Sequence, residues 1–354
     1  MGKLNIAVLF GGCSPEYEIS LRSAYSVITH MDSAKYQPLL LGITQAGEWF
    51  HFVGAPAKIL DDTWQDPAAC VRAIISPSRE THGMLLFDHE KTRSIRLDAA
   101  LPVLHGKNGE DGTVQGLLEL AGIPIVGCKT LACALCLDKD KAHKIAAAAG
   151  ARVPRSFTIN SASTLMVYAE QAEDLGYPLF VKPVKAGSSL GVSKVLSKSE
   201  LSVAVQEAFA YDDEVILEEN ISGCEIGCAV LGDHNLTVGM IDEIELAEGF
   251  FDYKEKYALK TSTIHVPARI SKHKTQEALE MAKTIYKALG CSGFARVDMF
   301  LTTLGEIVFN EVNTIPGFTA HSRYPNMLKA IGLTFEQIIG MAIELAVGDG
   351  LKCN

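Results

Sequence analysis

The chain has 354 residues, 48% hydrophobic and 21% charged, a length beyond one compact core that predicts two or three soluble domains. Its 32 basic against 42 acidic residues give a net charge of −10 with no long basic run, which excludes nucleic acid as the main partner. No apolar run approaches the roughly 18 to 20 residues of a membrane span, and the N-terminus lacks the order of a secretion signal, so a cytoplasmic protein with no membrane partner is expected.

Leu4 to Phe10 reads as an apolar strand running into Gly11-Gly12, followed by a helix over Glu16 to Met31 and a strand over Tyr36 to Ile43. Strand-like runs at Ala99 to Leu104 and Pro124 to Val126 bracket a helix at Val114 to Ala121, and this alternation predicts a parallel sheet covered by helices. Gly11-Gly12-Cys13 does not supply G-x-G-x-x-G, which counts against a nicotinamide dinucleotide. Nine irregularly spaced cysteines predict reduced thiols. Cys133 and Cys136 stand at C-x-x-C spacing without the second pair that a zinc site needs.

From Asp138 the texture changes. A helix at Lys139 to Ala149 stops at Gly150, and short strands follow at Ser156 to Ile159, Leu179 to Lys182 and Val192 to Leu196. Gly187-Ser-Ser-Leu-Gly191 therefore joins two strands and is no Walker A loop, which must open a helix. Small residues can still fold over a triphosphate with backbone N–H groups, and Lys182 and Lys185 beside the loop favour phosphate over an ordinary hairpin turn. A strand at Val215 to Glu218 ends in Glu218-Glu219-Asn220-Ile221, with Glu225 soon after, which suits either an adenosine edge or a plain acidic strand. Asp242 to Ile264 breaks the periodicity with Phe250-Phe-Asp-Tyr-Lys-Glu-Lys-Tyr257, as expected of an active-site lid or an aromatic-pinned surface loop.

Phe294 to Phe300 and Glu306 to Asn313 form the most informative pattern. Spacing of two puts Arg296 and Asp298 on one strand face, and Glu311 and Asn313 likewise. If Thr302 to Gly305 closes an antiparallel hairpin, two carboxylates, an amide oxygen and a guanidinium converge. Such oxygen ligands suit Mg²⁺ shared with substrate phosphates, while a structural salt bridge on a solvated face is the plainer alternative.

In chain order, the run from Gly11 to Ser20, His105-Gly-Lys-Asn-Gly-Glu-Asp-Gly112, Val181-Lys182-Pro183, the 187–191 loop, Glu255-Lys256-Tyr257, Arg296-Val297-Asp298 and Asn310 to Gly317 resemble the D-alanine–D-alanine ligase family over essentially the whole chain. The resemblance implies an α/β chain with an ATP-grasp fold. A Rossmann-like parallel-sheet domain would span residues 1–137, a small α+β domain 138–215 and a C-terminal α+β domain 216–354. It also implies a homodimer, and a two-step reaction in which ATP phosphorylates D-alanine and a second D-amino acid attacks the acyl phosphate. Lys139, Lys182, Ser188, Ser189 and Lys256 would serve the phosphates, and Glu218, Glu219, Ile221 and Glu225 the adenosine. Asp298, Glu311 and Asn313 would hold two Mg²⁺ ions, with Mn²⁺ as a substitute. Arg296 and Gly317 would face the reacting charge. Glu16 and His105 would bind the first D-alanine, and Tyr257 would join Ser188 and Glu16.

Where ordinary cell-wall ligases resemble His-Ser-Leu, this chain has His321-Ser322-Arg323. Arg323 in place of an apolar residue resembles the vancomycin-resistance ligases, and Tyr257 where lactate-forming members carry histidine points to D-serine as acceptor, bound beside Ser322. A housekeeping D-alanine–D-alanine ligase is the alternative. A nicotinamide dehydrogenase would need the missing fingerprint, and a non-catalytic nucleotide-binding protein would have lost part of the metal set.

Overall fold

The computed structural model describes residues 2–88, 91–160, 165–246, 262–319 and 321–350. Three sheets follow one another along the chain. Strand β1, Leu4–Gly11, is buried along most of its length because it lies between two parallel neighbours, β2 at Tyr36–Ile43 and β7 at Ala99–Pro102. Helix α1, Tyr17–His30, packs on this sheet through Tyr17, Leu21, Ala24 and Ile28, which recur at helical spacing.

The parallel expectation holds for the β2-β1-β7 centre, but the sheet is mixed. Beyond β2 the strands β3 Trp49–Phe52, β4 Cys70–Ile75, β5 Gly83–Asp88 and β6 Lys91–Arg96 continue as an antiparallel meander. Five of the six residues of β6 are exposed, so this edge strand carries no apolar alternation to betray it.

The second sheet, entirely antiparallel, runs β10-β9-β11-β8 and is built from β8 Ser156–Asn160, β9 Leu179–Pro183, β10 Ser193–Val195 and β11 Glu214–Glu219. The third contains β12 Gly223–Leu231, β13 Thr237–Val238, β14 Asp242–Leu246, β15 Ser262–His265, β16 Phe294–Thr302 and β17 Ile307–Asn313. Its β16–β17 hairpin pairs Arg296 with Asn313 and Asp298 with Glu311, and its register shifts between Asp298 and Met299. The alternation of side chains thus puts all four polar groups on one face.

Helix α2, Lys139–Ala148, is capped by the Asp138 side chain, which accepts from Lys141 N at 2.9 Å. The helix starting at Phe335 returns to the first sheet, where Phe335, Ile338, Ile339 and Ile343 join the core that holds Val8, Val27 and Leu101. No helix among the described residues is long and apolar enough to cross a membrane.

Candidate active site

The first sheet changes direction of winding around β1, and the loop leaving that strand therefore opens at a topological switch point. Gly11 makes the exit turn at φ +87°, where a Cβ would lie 2.1 Å from the Ile43 carbonyl. Ser20 Oγ accepts from Gly11 N at 2.8 Å, and the turn delivers Glu16 to the mouth of α1 in a buried position. Gly106, at φ +72°, passes so close that a Cβ would stand 2.7 Å from Glu16 Oε2. Across the cleft, Ser188 donates to Glu16 Oε1 through a short hydrogen bond. Ser188 and Ser189 both occupy the left-handed region, φ 52° and 58°, a strained placement for non-glycine residues that marks the loop as specialised.

His105 is buried with Nε2 3.3 Å from Ser23 Oγ, and burial holds its pKa below the ordinary value despite the carboxylate of Glu16. Glu110, five residues on, has a part that its motif alone did not reveal. Its Oε2 accepts from Gly106 N at 2.8 Å and its Oε1 from Ile315 N at 3.3 Å, which ties the His105 loop to the loop that carries Gly317. Burial, with Glu16 as the next cause, pushes its carboxyl from 4.5 up to about 8. A carboxyl raised on folding gives stability that is full below its unfolded value and lost as pH climbs through its folded one. Glu110→Gln should therefore gain on the wild type in thermal midpoint as pH rises from about 4.5 to about 8, then level off. A pH-independent difference in calorimetry would contradict this titration.

Two cavities meet in the cleft. The larger, about 600 Å³, is lined by Glu16, His105, Ser188, Arg296, Asn313, Gly317, Ser322 and Arg323. The smaller, about 290 Å³, lies between the second and third sheets and is lined by Lys182, Ser189, Glu218, Glu219, Ile221 and Glu225. Lys139, Ala186 and Glu311 border both. Lys139 Nζ donates to Ala186 O at 2.7 Å, and Lys182 Nζ to Glu218 Oε2 at 2.6 Å. Burial alone would raise the Glu218 carboxyl, but Lys182, His143 and Lys139 outweigh it and hold it below its ordinary value. Glu219 also holds Arg155, with its Oε2 accepting from Arg155 Nε at 3.0 Å.

At the hairpin, Arg296 grips Asp298 with two nitrogens, Nε to Oδ1 at 2.8 Å and Nη2 to Oδ2 at 2.7 Å. Asn313 Nδ2 reaches the same carboxylate at 2.8 Å. Asp298, Glu311 and the Asn313 amide oxygen make a donor set that fits a hard divalent cation. No group of three His, Cys, Asp or Glu side chains at ligating spacing occurs among the described residues, so further coordination positions would fall to phosphate oxygens and water.

Arg323 is placed differently from the expectation of a donor held open for an acceptor. It is buried, with Nε and Nη2 on Asp242 at 2.7 and 2.8 Å, Nη1 on Glu225 at 2.8 Å, and Asp298 Oδ1 at 3.4 Å. Glu225 accordingly joins this cluster as well as lining the smaller cavity. Asp242, which no motif singled out, is its most buried member. Ser322 Oγ accepts from Thr319 N at 3.0 Å beside Gly317. Lys256 and Tyr257 lie outside the described residues. Cys136 and Cys291 are buried with their sulfurs 3.6 Å apart, and the cysteines among the described residues are all free thiols.

A lysine-lined cavity joined to a carboxylate- and arginine-lined one has the chemistry of an enzyme that activates a small molecule with a nucleotide. A model of the D-ala D-ala ligase N-terminus matches residues 5–128, and a model of the D-ala D-ala ligase C-terminus matches residues 147–344. The chain is 42% identical to the vancomycin/teicoplanin A-type resistance protein VanA of Enterococcus faecium, over 98% of this chain and 99% of that one. It is 43% identical to a putative D-alanine–D-lactate ligase of Streptomyces coelicolor, over 99% of this chain and 100% of that one. The crystal structure of VanG D-Ala:D-Ser ligase from Enterococcus faecalis superposes with a TM-score of 0.91 at 54% identity, covering 98% of this chain and 100% of that one. The chain belongs to the D-alanine–D-alanine ligase family and has its ATP-grasp fold. It is an ATP-dependent ligase.

Proposed function

We propose that this ligase joins D-alanine to D-serine through a D-alanyl phosphate, making a dipeptide for peptidoglycan precursors that confers vancomycin resistance, and that it works as a cytoplasmic homodimer. The observation that carries the reaction is the meeting of two cavities at Lys139, Ala186 and Glu311. A nucleotide in the smaller one has its phosphates directed at an amino acid in the larger one, so that binding itself aligns the reactants.

Lys139 and Lys182 neutralise the phosphates, with Ser189 and Lys256 beside them, while Glu218, Glu219, Ile221 and Glu225 line the adenosine end. Asp298, Glu311 and Asn313 would hold two Mg²⁺ ions, which would supply positive charge against the phosphates. Glu16 accepts from the ammonium of the first D-alanine, with His105 near its carboxylate. Arg296 and the Gly317 N–H face the charge that develops first on the transferring phosphoryl group and then on the tetrahedral oxyanion. Ser188 and Glu16 form a hydrogen-bonded pair that Tyr257, by the family resemblance, would join, and there the second amine loses its proton.

The D-serine acceptor is supported by the polar wall that Ser322 and Arg323, the latter held by Asp242 and Glu225, present to the amino-acid cavity. A hydroxyl can add a hydrogen bond to Ser322 or to the edge of the Arg323 guanidinium, directly or through water, and the methyl of D-alanine cannot. The test is phosphate release from ATP with Mg²⁺ and constant D-alanine, with D-alanine, D-serine or D-lactate as competing acceptors and the products separated by mass. D-alanyl-D-serine should predominate. A predominance of D-alanyl-D-alanine would overturn the acceptor assignment, and release that ignores every acceptor would overturn the reaction.

A further inference from the structure

We propose that His143 is a positioning residue of the nucleotide site: it backs Glu218 opposite Lys182 and ties that pair, through the Asn310 carbonyl, to the strand that carries Glu311. This rests on the nucleotide assignment of the cavity around Lys182 and Glu218. His143 lies on α2 four residues after Lys139, on the same buried face, and is 3% exposed. Its Nε2 is 2.8 Å from the carbonyl oxygen of Asn310, and its ring meets Phe309 edge-on at 5.6 Å. Its Nδ1 faces Glu218 Oε1 at 3.8 Å.

Those last two atoms are both buried, and neither has a hydrogen-bond partner among the described residues. Two orphaned buried polar atoms facing each other are costly; the ring has a carbonyl at Nε2 and a carboxylate at Nδ1, and a movement of about 1 Å brings Nδ1 and Glu218 Oε1 to hydrogen-bond distance. The other oxygen of Glu218 is held by Lys182. When a nucleotide draws Lys182 Nζ toward its phosphates, that bond weakens and a buried carboxylate loses its partner. His143 is the second donor that keeps Glu218 in place, so that Lys182 can turn to the phosphate. It also couples this movement to β17, because the residue after Asn310 is Glu311.

Steady-state kinetics of the full chain test this with His143→Phe, which keeps the ring packed on Phe309 but removes both nitrogens, beside His143→Asn, His143→Gln and Lys182→Met. The KM for ATP should rise about ten-fold in His143→Phe, the usual effect of a lost hydrogen bond to a charged group, while the KM for D-alanine stays within about two-fold. Asn or Gln, each returning one donor, should recover part of the loss. Combining His143→Phe with Glu218→Gln should cost less than the two single losses added, because the residues act as a unit. If Lys182→Met raises the KM for ATP and His143→Phe does not, His143 is not a positioning residue. An equal rise in both KM values with a lower thermal midpoint would make it mere packing and overturn the proposal. If Lys182→Met also leaves the KM for ATP unchanged, the nucleotide assignment falls, and the proposal with it.

Discussion

Arg296→Met should lower kcat by about 10²- to 10³-fold while leaving the KM for ATP within a few-fold, the expected loss when a fixed group aimed at developing charge is removed. The setting of Arg296 suits that proposed part. It is held in the cleft by two bonds to a carboxylate that is itself 1% exposed, so its orientation is set before substrate arrives. Water cannot replace it, because a solvent dipole must reorganise as the charge forms and a pre-placed guanidinium need not. The variant also takes from Asp298 its closest cation, leaving Asn313 at 2.8 Å and Arg323 at 3.4 Å. Single-turnover measurement of acyl-phosphate formation, followed by partition to product, separates the two chemical steps. A kcat within ten-fold of the wild type would remove Arg296 from the reacting centre.

Arg323→Leu should have the largest effect on stability and change acceptor choice as well. One guanidinium serves Asp242, Glu225 and Asp298, and Asp242 is wholly buried. Removing one partner of a buried charge cluster leaves carboxylates without compensation, at about 3 to 5 kcal/mol, which corresponds to a fall in thermal midpoint on the order of 10 °C. Arg323→Lys should fall between, since an ammonium returns the charge but not the planar fork that spans Asp242. The surviving Arg323→Leu enzyme should shift its products from D-alanyl-D-serine toward D-alanyl-D-alanine. An unchanged midpoint in scanning calorimetry would mean that the carboxylates find other partners, and an unchanged product ratio would separate the cluster from acceptor selection.

These two arginines also show where sequence suffices. Arg296 is legible because its partners lie within a hairpin: period-two alternation and a short link predict the pairs Arg296 with Asn313 and Asp298 with Glu311, and both are observed. The strand at Tyr36–Ile43 is equally plain, an apolar run interrupted only by Gln37 near its start. By contrast, nothing local to Arg323 announces Asp242 or Glu225, which lie 81 and 98 residues away. The same holds for His143 and Asn310, 167 residues apart, and for Glu110, whose second partner is Ile315. The antiparallel strands from Trp49 to Arg96 were missed because they are short and their outer member, Lys91–Arg96, is mostly exposed.

The elements outside Trp49 to Arg96, the metal-type hairpin face, the small-residue loop and the run of motifs that marks the ligase family are legible in the residues alone. Each of these depends on side-chain type and spacing among near neighbours, where strand and helix geometry leave few choices. It takes the packed chain to show that two cavities share Lys139 and Glu311, that Arg323 is shared among three carboxylates, and that His143 stands behind Glu218. These depend on which distant segments burial brings together, because a polar group removed from water must find its partner wherever the packing of the sheets places one.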